Sequence, residues 1–252
     1  MYRRAKPMAP GQVTIDNFDS NIRMKIDPSR SMGAAIYRTG FHEFREFLFM
    51  HRFLKAGMTF VDIGANQGEY SLFASKRIGN GQVIAFEPLP SIRTALLENI
   101  RLNNFKNIVV MPVGLSDQRG TMSIHEIDDA HEGLATLYPG DQVSRNTFTI
   151  DLHTLDEVFT TNNFSKCDMI KLDIEGGELN ALRGARNVLE KFRPALMIEI
   201  NAITYTKAGY TIDDVGKFMS DMGYRAFKIV NRGVLAPCGP LPDFGNIVFL
   251  PG

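Results

Sequence analysis

Carboxylates that close apolar runs are the side chains of this 252-residue chain with the clearest chemical potential. Asp62 lies in Thr59-Phe60-Val61-Asp62-Ile63-Gly64-Ala65-Asn66-Gln67-Gly68, an apolar, partly β-branched strand that enters a glycine turn, and residues 70–78 then have helical spacing. Such a unit puts backbone N–H groups and a helix N-terminus at the mouth of a sheet, where nucleotide-like ligands bind. A carboxylate two residues before the first glycine repels a pyrophosphate and attracts the ammonium of an amino acid. S-adenosylmethionine has an adenosine, no phosphate and that ammonium. The glycine spacing also misses G-x-G-x-x-G, so the turn favours S-adenosylmethionine over NAD. Glu87 closes the next apolar run, 82–86, where a carboxylate can accept hydrogen bonds from both ribose hydroxyls. Its plain alternative is a helix-start charge. Ser116 and Asp117 end the third run, where an adenine edge can be read; an ordinary turn explains them nearly as well.

Asp173, Glu175 and Glu178 follow the run 168–174. Asp173 and Glu175 are two apart and face the same way on an extended chain. Carboxylates grouped at a strand exit can serve as general base, metal ligands or a cation clamp. Charge complementarity at a helix start accounts for Glu178 well and for Asp173 poorly. Lys171 can neutralise part of this group, and Glu199 and Asn201, closing the next strand, can face the same cleft. Asp173 is therefore the first candidate for a base, with Glu175 and Glu199 next. Their hard oxygens suit Mg²⁺, though no spacing requires a metal. The five histidines (His42, His51, His125, His131 and His153) form no ligand-spaced pair, and only His125 or His131, in a polar loop, is placed to swing over a substrate.

The elements that must position these groups alternate as β-α-β-α from Thr59 onward. This pattern predicts a doubly wound, Rossmann-like α/β domain over 58–252 behind an N-terminal extension, 1–57. In the extension, 13–15 and 22–26 alternate around a turn-rich 17–21 and predict a hairpin. A polar stretch after Pro28 precedes a helix within 41–54, with Phe44, Phe47 and Leu48 apolar and Glu43 and Arg45 read as solvated charges. This layer packs over the sheet edge or forms part of a substrate wall. Further on, Ser91 is positioned to cap a helix whose stripe is Ile92, Leu96 and Ile100. Residues 107–113 and 121–125 predict strands, 126–146 a long polar loop, and 149–159 a short strand and a helical turn. One helix carries Leu182, Ala185, Leu189 and Phe192, ended by Pro194. A strand over 195–200, a last helix through Ile212, Val215, Met219 and Met222, and closing strands at 224–230 and 246–250 follow, the latter two joined by a Gly/Pro-rich loop.

Lys and Arg balance Asp and Glu at 28 each, so no basic field advertises a nucleic-acid partner. No apolar run reaches membrane-spanning length, and the basic start MYRRAKPMAPGQ lacks the apolar core of a secretory signal. Cys167 and Cys238 match no zinc spacing. Free thiols and a cytoplasmic location are the expectation.

Taken together, these segments resemble the FkbM family of S-adenosylmethionine-dependent methyltransferases over residues 41–249. The likeness rests on Phe41-His42-Glu43, the run from Val61 through Gly68 to Glu69-Tyr70, and Val83-Ile84-Ala85-Phe86-Glu87-Pro88. It continues in Leu97-Glu98-Asn99-Ile100-Arg101-Leu102-Asn103, Val113-Gly114-Leu115-Ser116-Asp117, Thr154-Leu155-Asp156, and the stretch from Ile170 to Glu178. The resemblance implies a seven-stranded sheet whose last strand is antiparallel, and O-methylation of a sugar, glycan, polyketide or related metabolite. It also implies that Asp62, Gly64, Asn66 and Gly68 surround the methionine part, that Glu87 takes the ribose, and that Asp173 lies near the transferred methyl. The first 40 residues match the family pattern weakly and leave the acceptor open, as the sequence leaves a homo-oligomer open. The rivals are a nucleic-acid methyltransferase, disfavoured by neutrality and by the lack of an Asn-Pro-Pro-Tyr-type strand exit, an NAD-dependent oxidoreductase, and a non-catalytic S-adenosylmethionine-binding protein.

Overall fold

The computed structural model of the chain describes residues 11–127, 135–136 and 144–252. The N-terminal dodecapeptide (all but its last two residues), His131 and most of the polar stretch after Ile127 therefore lie outside the described residues. The extension begins with the antiparallel hairpin β1 (Val13–Phe18) and β2 (Ile22–Ile26). Two helices follow, α1 (Ser31–Thr39) and α2 (Phe44–Phe53). The stretch after Pro28 is thus helical, and Gly33 lets α1 pass over the backbone of Asp27, where a Cβ would lie 2.1 Å from a carbonyl oxygen. In α2 the buried side is Phe47, Phe49 and Met50, while Phe44 faces outward. Glu43 is half-buried and hydrogen-bonded, not a solvated charge.

Then come β3 (Thr59–Ile63), α3 (Glu69–Ile78), β4 (Gln82–Phe86), α4 (Pro90–Leu102) and β5 (Ile108–Met111). Leu89, not Ser91, is the N-cap of α4; Pro90 opens the helix with its fixed φ and absent N–H. A second, four-stranded sheet is built from β6 (Gly114–Leu115), β7 (Gly120–Ile127), β8 (Ala135–Thr136) and β9 (Ser144–His153), in the order β6-β9-β7-β8. Parts of the expected loop 126–146 are therefore strand. β7 and β9 pair from Gly120–Leu152 out to Ile127–Ser144, and the apolar members Ile124, Ile150 and Leu152 are buried.

The chain returns through α5 (Leu155–Thr161), β10 (Met169–Leu172), α6 (Glu178–Arg183), α7 (Arg186–Phe192) and β11 (Ala195–Asn201). The single helix expected after Glu178 is two, because Gly184 passes so close to Ser116 that a Cβ there would sit 2.0 Å from its carbonyl oxygen. Asp156 then accepts the N–H groups of Asn187 and Val188 at the start of α7. The final elements are α8 (Ala202–Ala208), α9 (Ile212–Asp221), β12 (Tyr224–Val230), β13 (Val234–Pro237) and β14 (Phe244–Pro251). The Gly/Pro-rich connection thus holds a strand.

The main sheet runs β13-β12-β14-β11-β10-β3-β4-β5. Neighbours from β11 to β5 are parallel, whereas β14 is antiparallel to both β11 and β12. Seven of the strands give the expected arrangement with the last antiparallel, and β13 is an added edge. One face buries Val61, Ile63, Ile170, Leu172 and Ile198 under the later helices. The other face buries Phe60, Val83, Met169, Met197 and Val248 beneath α3 and the extension. Four aromatic rings, Phe18, Phe41, Phe47 and Phe73, weld the extension to α3. Asn99 on α4 and Asn103, its C-cap, accept the Lys25 and Arg23 N–H groups of β2.

Candidate active site

A cavity of about 450 Å³ opens beyond the carboxyl ends of β3, β4, β10 and β11, the position where open α/β sheets bind ligands. The β3–α3 turn forms one side. Gly64 and Ala65 donate their N–H groups to the Phe86 carbonyl, and Gly64 takes φ +84. A Cβ on Gly64 would lie 1.9 Å from the Asp173 carbonyl oxygen, so glycine is required there both for conformation and for space. Asn66 is also left-handed, at φ +48, and its N–H points to Glu87 Oε2 at 3.1 Å. Leu89 N–H meets the other oxygen at 2.9 Å. Burial, opposed by these two N–H groups and by Arg93, pushes Glu87 up to about 7.

Of the residues expected around the cofactor, Gly64, Asn66, Glu87 and Asp173 line the cavity. Asp62 does not; it lies fully buried on β3, beside Lys171 in the strand register. One of its oxygens accepts the Ser71 hydroxyl at 2.6 Å and the other has no partner. Burial raises its pKa, against the pull of the Lys171 ammonium. Gly68 caps α3 at φ +98 with Leu96 against it, outside the lining. Ser116 and Asp117 are also outside it: Ser116 donates its N–H to the His153 carbonyl and its hydroxyl to Asp117. The second sheet supplies the wall instead, through Ile124, Ile150 and Leu152, opposite Leu89 and Ile92.

The expected acidic group assembles at the other end. Asp173, Glu175 and Glu199 each offer a carboxylate oxygen, all within 4.8 Å of one another. Lys171, 2 % exposed, reaches Asp173 Oδ2 at 2.7 Å. Burial opposes the lysine's charge, but Asp173, Asp62 and Glu43 more than offset this and hold its pKa above the ordinary value. Burial, with Asp173 and Glu175 adding to it, pushes Glu199 up to about 10. Glu175, at φ +53, is pushed up to about 7 by burial and the neighbouring Asp173 and Glu178. Glu178 stands apart: it accepts the N–H groups of Ile174 and Gly176 at the start of α6.

Three contributors come from outside the expected list. Glu43, in the extension, accepts the Tyr70 hydroxyl and the Asn246 side-chain amide, each at 2.6 Å. The Lys171 ammonium sits 4.5 Å from the Tyr70 ring centroid, a cation–π contact in a dry setting. Glu69 lines the cavity, accepts the His42 N–H, and is pushed up to about 8 by burial. His42 itself lines the mouth. From sequence, only the resemblance motifs Phe41-His42-Glu43 and Glu69-Tyr70 touched on these residues, and neither assigned them a role.

The family described as Methyltransferase FkbM domain matches residues 62–226. The chain belongs to this family. Among curated relatives, Methyltransferase sdnD of Sordaria araneosa is 26% identical over 153 residues, covering 49% of this chain and 59% of that protein. Hexuronic acid methyltransferase AglP of Haloferax volcanii is 28% identical over 160 residues, covering 64% of this chain and 60% of that protein. The chain thus spans about six tenths of the length of these relatives. The crystal structure of Methyltransferase FkbM from Methylobacillus flagellatus KT is similar in fold, with a TM-score of 0.52 at 19% identity, over 77% of this chain and 43% of that one. In FkbM terms, Glu87 closes β4 beside the glycine turn and Asp173 stands at the exit of β10, both on the cavity wall. Among the described residues no helix is long and apolar enough to cross a membrane.

Proposed function

We propose that the protein is a S-adenosylmethionine-dependent O-methyltransferase that modifies a hydroxyl of a sugar, glycan, polyketide or related metabolite. The observation that carries this reading is the position of Asp173, on the cavity wall, 2.7 Å from a buried lysine and next to Glu175 and Glu199. The residues fit the cofactor. The Gly64 turn leaves a backbone cradle that a Cβ would fill, and Glu87, though bonded to two N–H groups, keeps lone pairs for ribose hydroxyls. The apolar wall of Leu89, Ile92, Ile150 and Leu152 suits adenine, and the Glu69 carboxyl on the cavity wall offers an acceptor to the methionine ammonium. When bound, the cofactor supplies a methyl group on a sulfonium, an electrophile that chiefly needs alignment.

An alcohol is a poor acid, so a base beside its oxygen assists. Asp173 has that role in our reading: it receives the hydroxyl proton as the oxygen is alkylated. Burial and the neighbouring Asp173 and Glu175 push Glu199 up to about 10, so its charge is held back until a positive group enters the acceptor space. Glu175 borders the same space. The oxygen ligands are of the kind Mg²⁺ takes, but the Lys171 ammonium already holds Asp173, so no step is assigned to a metal. The AglP likeness supports a carbohydrate acceptor, and the acidity of the cavity argues against nucleic acid. Two free thiols, Cys167 and Cys238, support a reducing cytoplasm.

The test is incubation of the full chain with S-adenosylmethionine and a panel of sugars, glycans and polyketide alcohols, scoring S-adenosylhomocysteine and the methyl ether by mass spectrometry. The reading expects a methyl ether, with Asp173→Asn slowing turnover by about 10²-fold or more at unchanged S-adenosylhomocysteine affinity. Methylation of nitrogen or of nucleic acid, or full turnover in Asp173→Asn, contradicts it.

A further inference from the structure

The cavity's ionisable wall is lopsided. Its acidic lining residues are Glu43, Glu69, Glu87, Asp173, Glu175 and Glu199, against Lys171 as the one lysine or arginine among the described lining residues. Four of the six have assigned partners: Glu43 holds Tyr70 and Asn246, Glu69 holds His42, Glu87 holds Asn66 and Leu89, and Asp173 holds Lys171. Glu175 and Glu199 are left. Glu175, after β10, and Glu199, on β11, lie two and three strand spacings from Glu87, roughly 10 and 14 Å in a sheet of this kind. A bound nucleoside at Glu87 therefore leaves them for the acceptor.

A further observation comes from the neighbouring strand. β14 places Asn246 directly across from Glu199 and Phe244 across from Asn201. Asn246 lies outside the cavity lining and donates its side-chain amide to Glu43. Phe244 lines the mouth and is 67% exposed, an aromatic ring that no protein side chain covers. Diagonal neighbours on one sheet face lie about 7–8 Å apart, so this ring and the Glu199 carboxyl flank one small volume. Two carboxyls with no assigned side-chain partner, whose ionisation the adjoining acids oppose, and an open ring together recognise an ammonium, which supplies the compensating positive charge and three donors.

We infer that the acceptor is a hydroxylated primary amine of the amino-sugar type, whose ammonium is held by Glu175, Glu199 and Phe244 while its hydroxyl faces Asp173. This rests on the O-methyltransferase reading for the hydroxyl but not for the ammonium. A divalent cation is the competing occupant of the same carboxyl groups. It has no use for the ring, and Lys171 already supplies a positive charge at Asp173.

The experiment is equilibrium binding to the full chain, with and without saturating S-adenosylhomocysteine, of glucosamine, N-acetylglucosamine, glucuronate and MgCl₂. Glucosamine and its N-acetyl form differ in the charge and in the acetyl group, so the change of their ratio in carboxyl variants isolates the ammonium. Glucosamine should bind about tenfold more tightly than the N-acetyl form and than glucuronate. Glu199→Gln, Glu175→Gln and Phe244→Ala should each shrink that ratio while leaving the S-adenosylhomocysteine affinity in place. Equal binding of the two sugars, preference for glucuronate, absence of sugar binding, or Mg²⁺ binding that displaces glucosamine overturns the inference. Failure of S-adenosylhomocysteine to bind, with the sugar ratio intact, counts against the methyltransferase reading alone.

Discussion

Glu69 shows how one buried acid sets a pH response. It is 5% exposed and pushed up from 4.5 to about 8, chiefly by burial. An acid whose folded pKa is raised favours the protonated state of the fold, so its ionisation erodes stability as pH climbs from about 4.5 through 8. Glu69→Gln keeps an acceptor for the His42 N–H and removes the charge. Thermal melts should show the variant more stable than the parent at pH 8.5 and matched to it at pH 4. A constant difference across that range would assign the effect to packing. Gly64→Ala is the opposite kind of change: φ +84 and a carbonyl oxygen 1.9 Å from the new Cβ leave it nowhere to go. It should cost roughly 2–4 kcal/mol in denaturant titrations. Gly64, Glu87 and Asp173 were legible from sequence as cavity residues because each closes or follows a buried run. That Asp62 lies below the cavity and Ser116-Asp117 beside it was not, since the strand pattern fixes a face and not a depth.

Among elements, the extension and β14 matter most to the site. Glu43 precedes α2, Tyr70 lies on α3 and Asn246 on β14, and the Glu43–Asn246 hydrogen bond closes a sequence separation of 203 residues. Glu43→Ala leaves two donors without an acceptor, a loss on the order of 2–3 kcal/mol. It should also raise amide exchange in α2 while α6 and α7 stay protected. Unchanged exchange in α2 would mean that the aromatic contacts alone hold it. The element pattern of the central domain was readable because buried parallel strands are apolar throughout and their helices carry one stripe. The second sheet was read only in part: strands were expected at 121–125 and within 149–159, but residues 126–146 have too little alternation to show how far β7 and β9 extend. The break between α6 and α7 was hidden because Leu182, Ala185 and Leu189 keep helical spacing across Gly184. The helix α1 was hidden by its small residues, which suit its close pass over Asp27.

For the molecule as a whole, the extension is one wall of the cavity and one cover of the sheet. Its Phe18, Phe47 and Met50 are buried against α3, and Met32, His42 and Glu43 reach the cavity. A chain beginning at residue 58 should therefore expose that sheet face, bind an apolar dye and lose its cooperative melt. A cooperative, dye-silent melt would show the catalytic domain to be self-sufficient. The central claim is that this cavity holds S-adenosylmethionine with Glu87 at its ribose. Calorimetric titration with S-adenosylhomocysteine tests it most directly, with NAD in parallel. Micromolar binding that weakens below pH 7, where Glu87 takes up its proton, and that is lost in Glu87→Ala is the predicted result. Binding of NAD alone, or S-adenosylhomocysteine affinity untouched by Glu87→Ala, would contradict it.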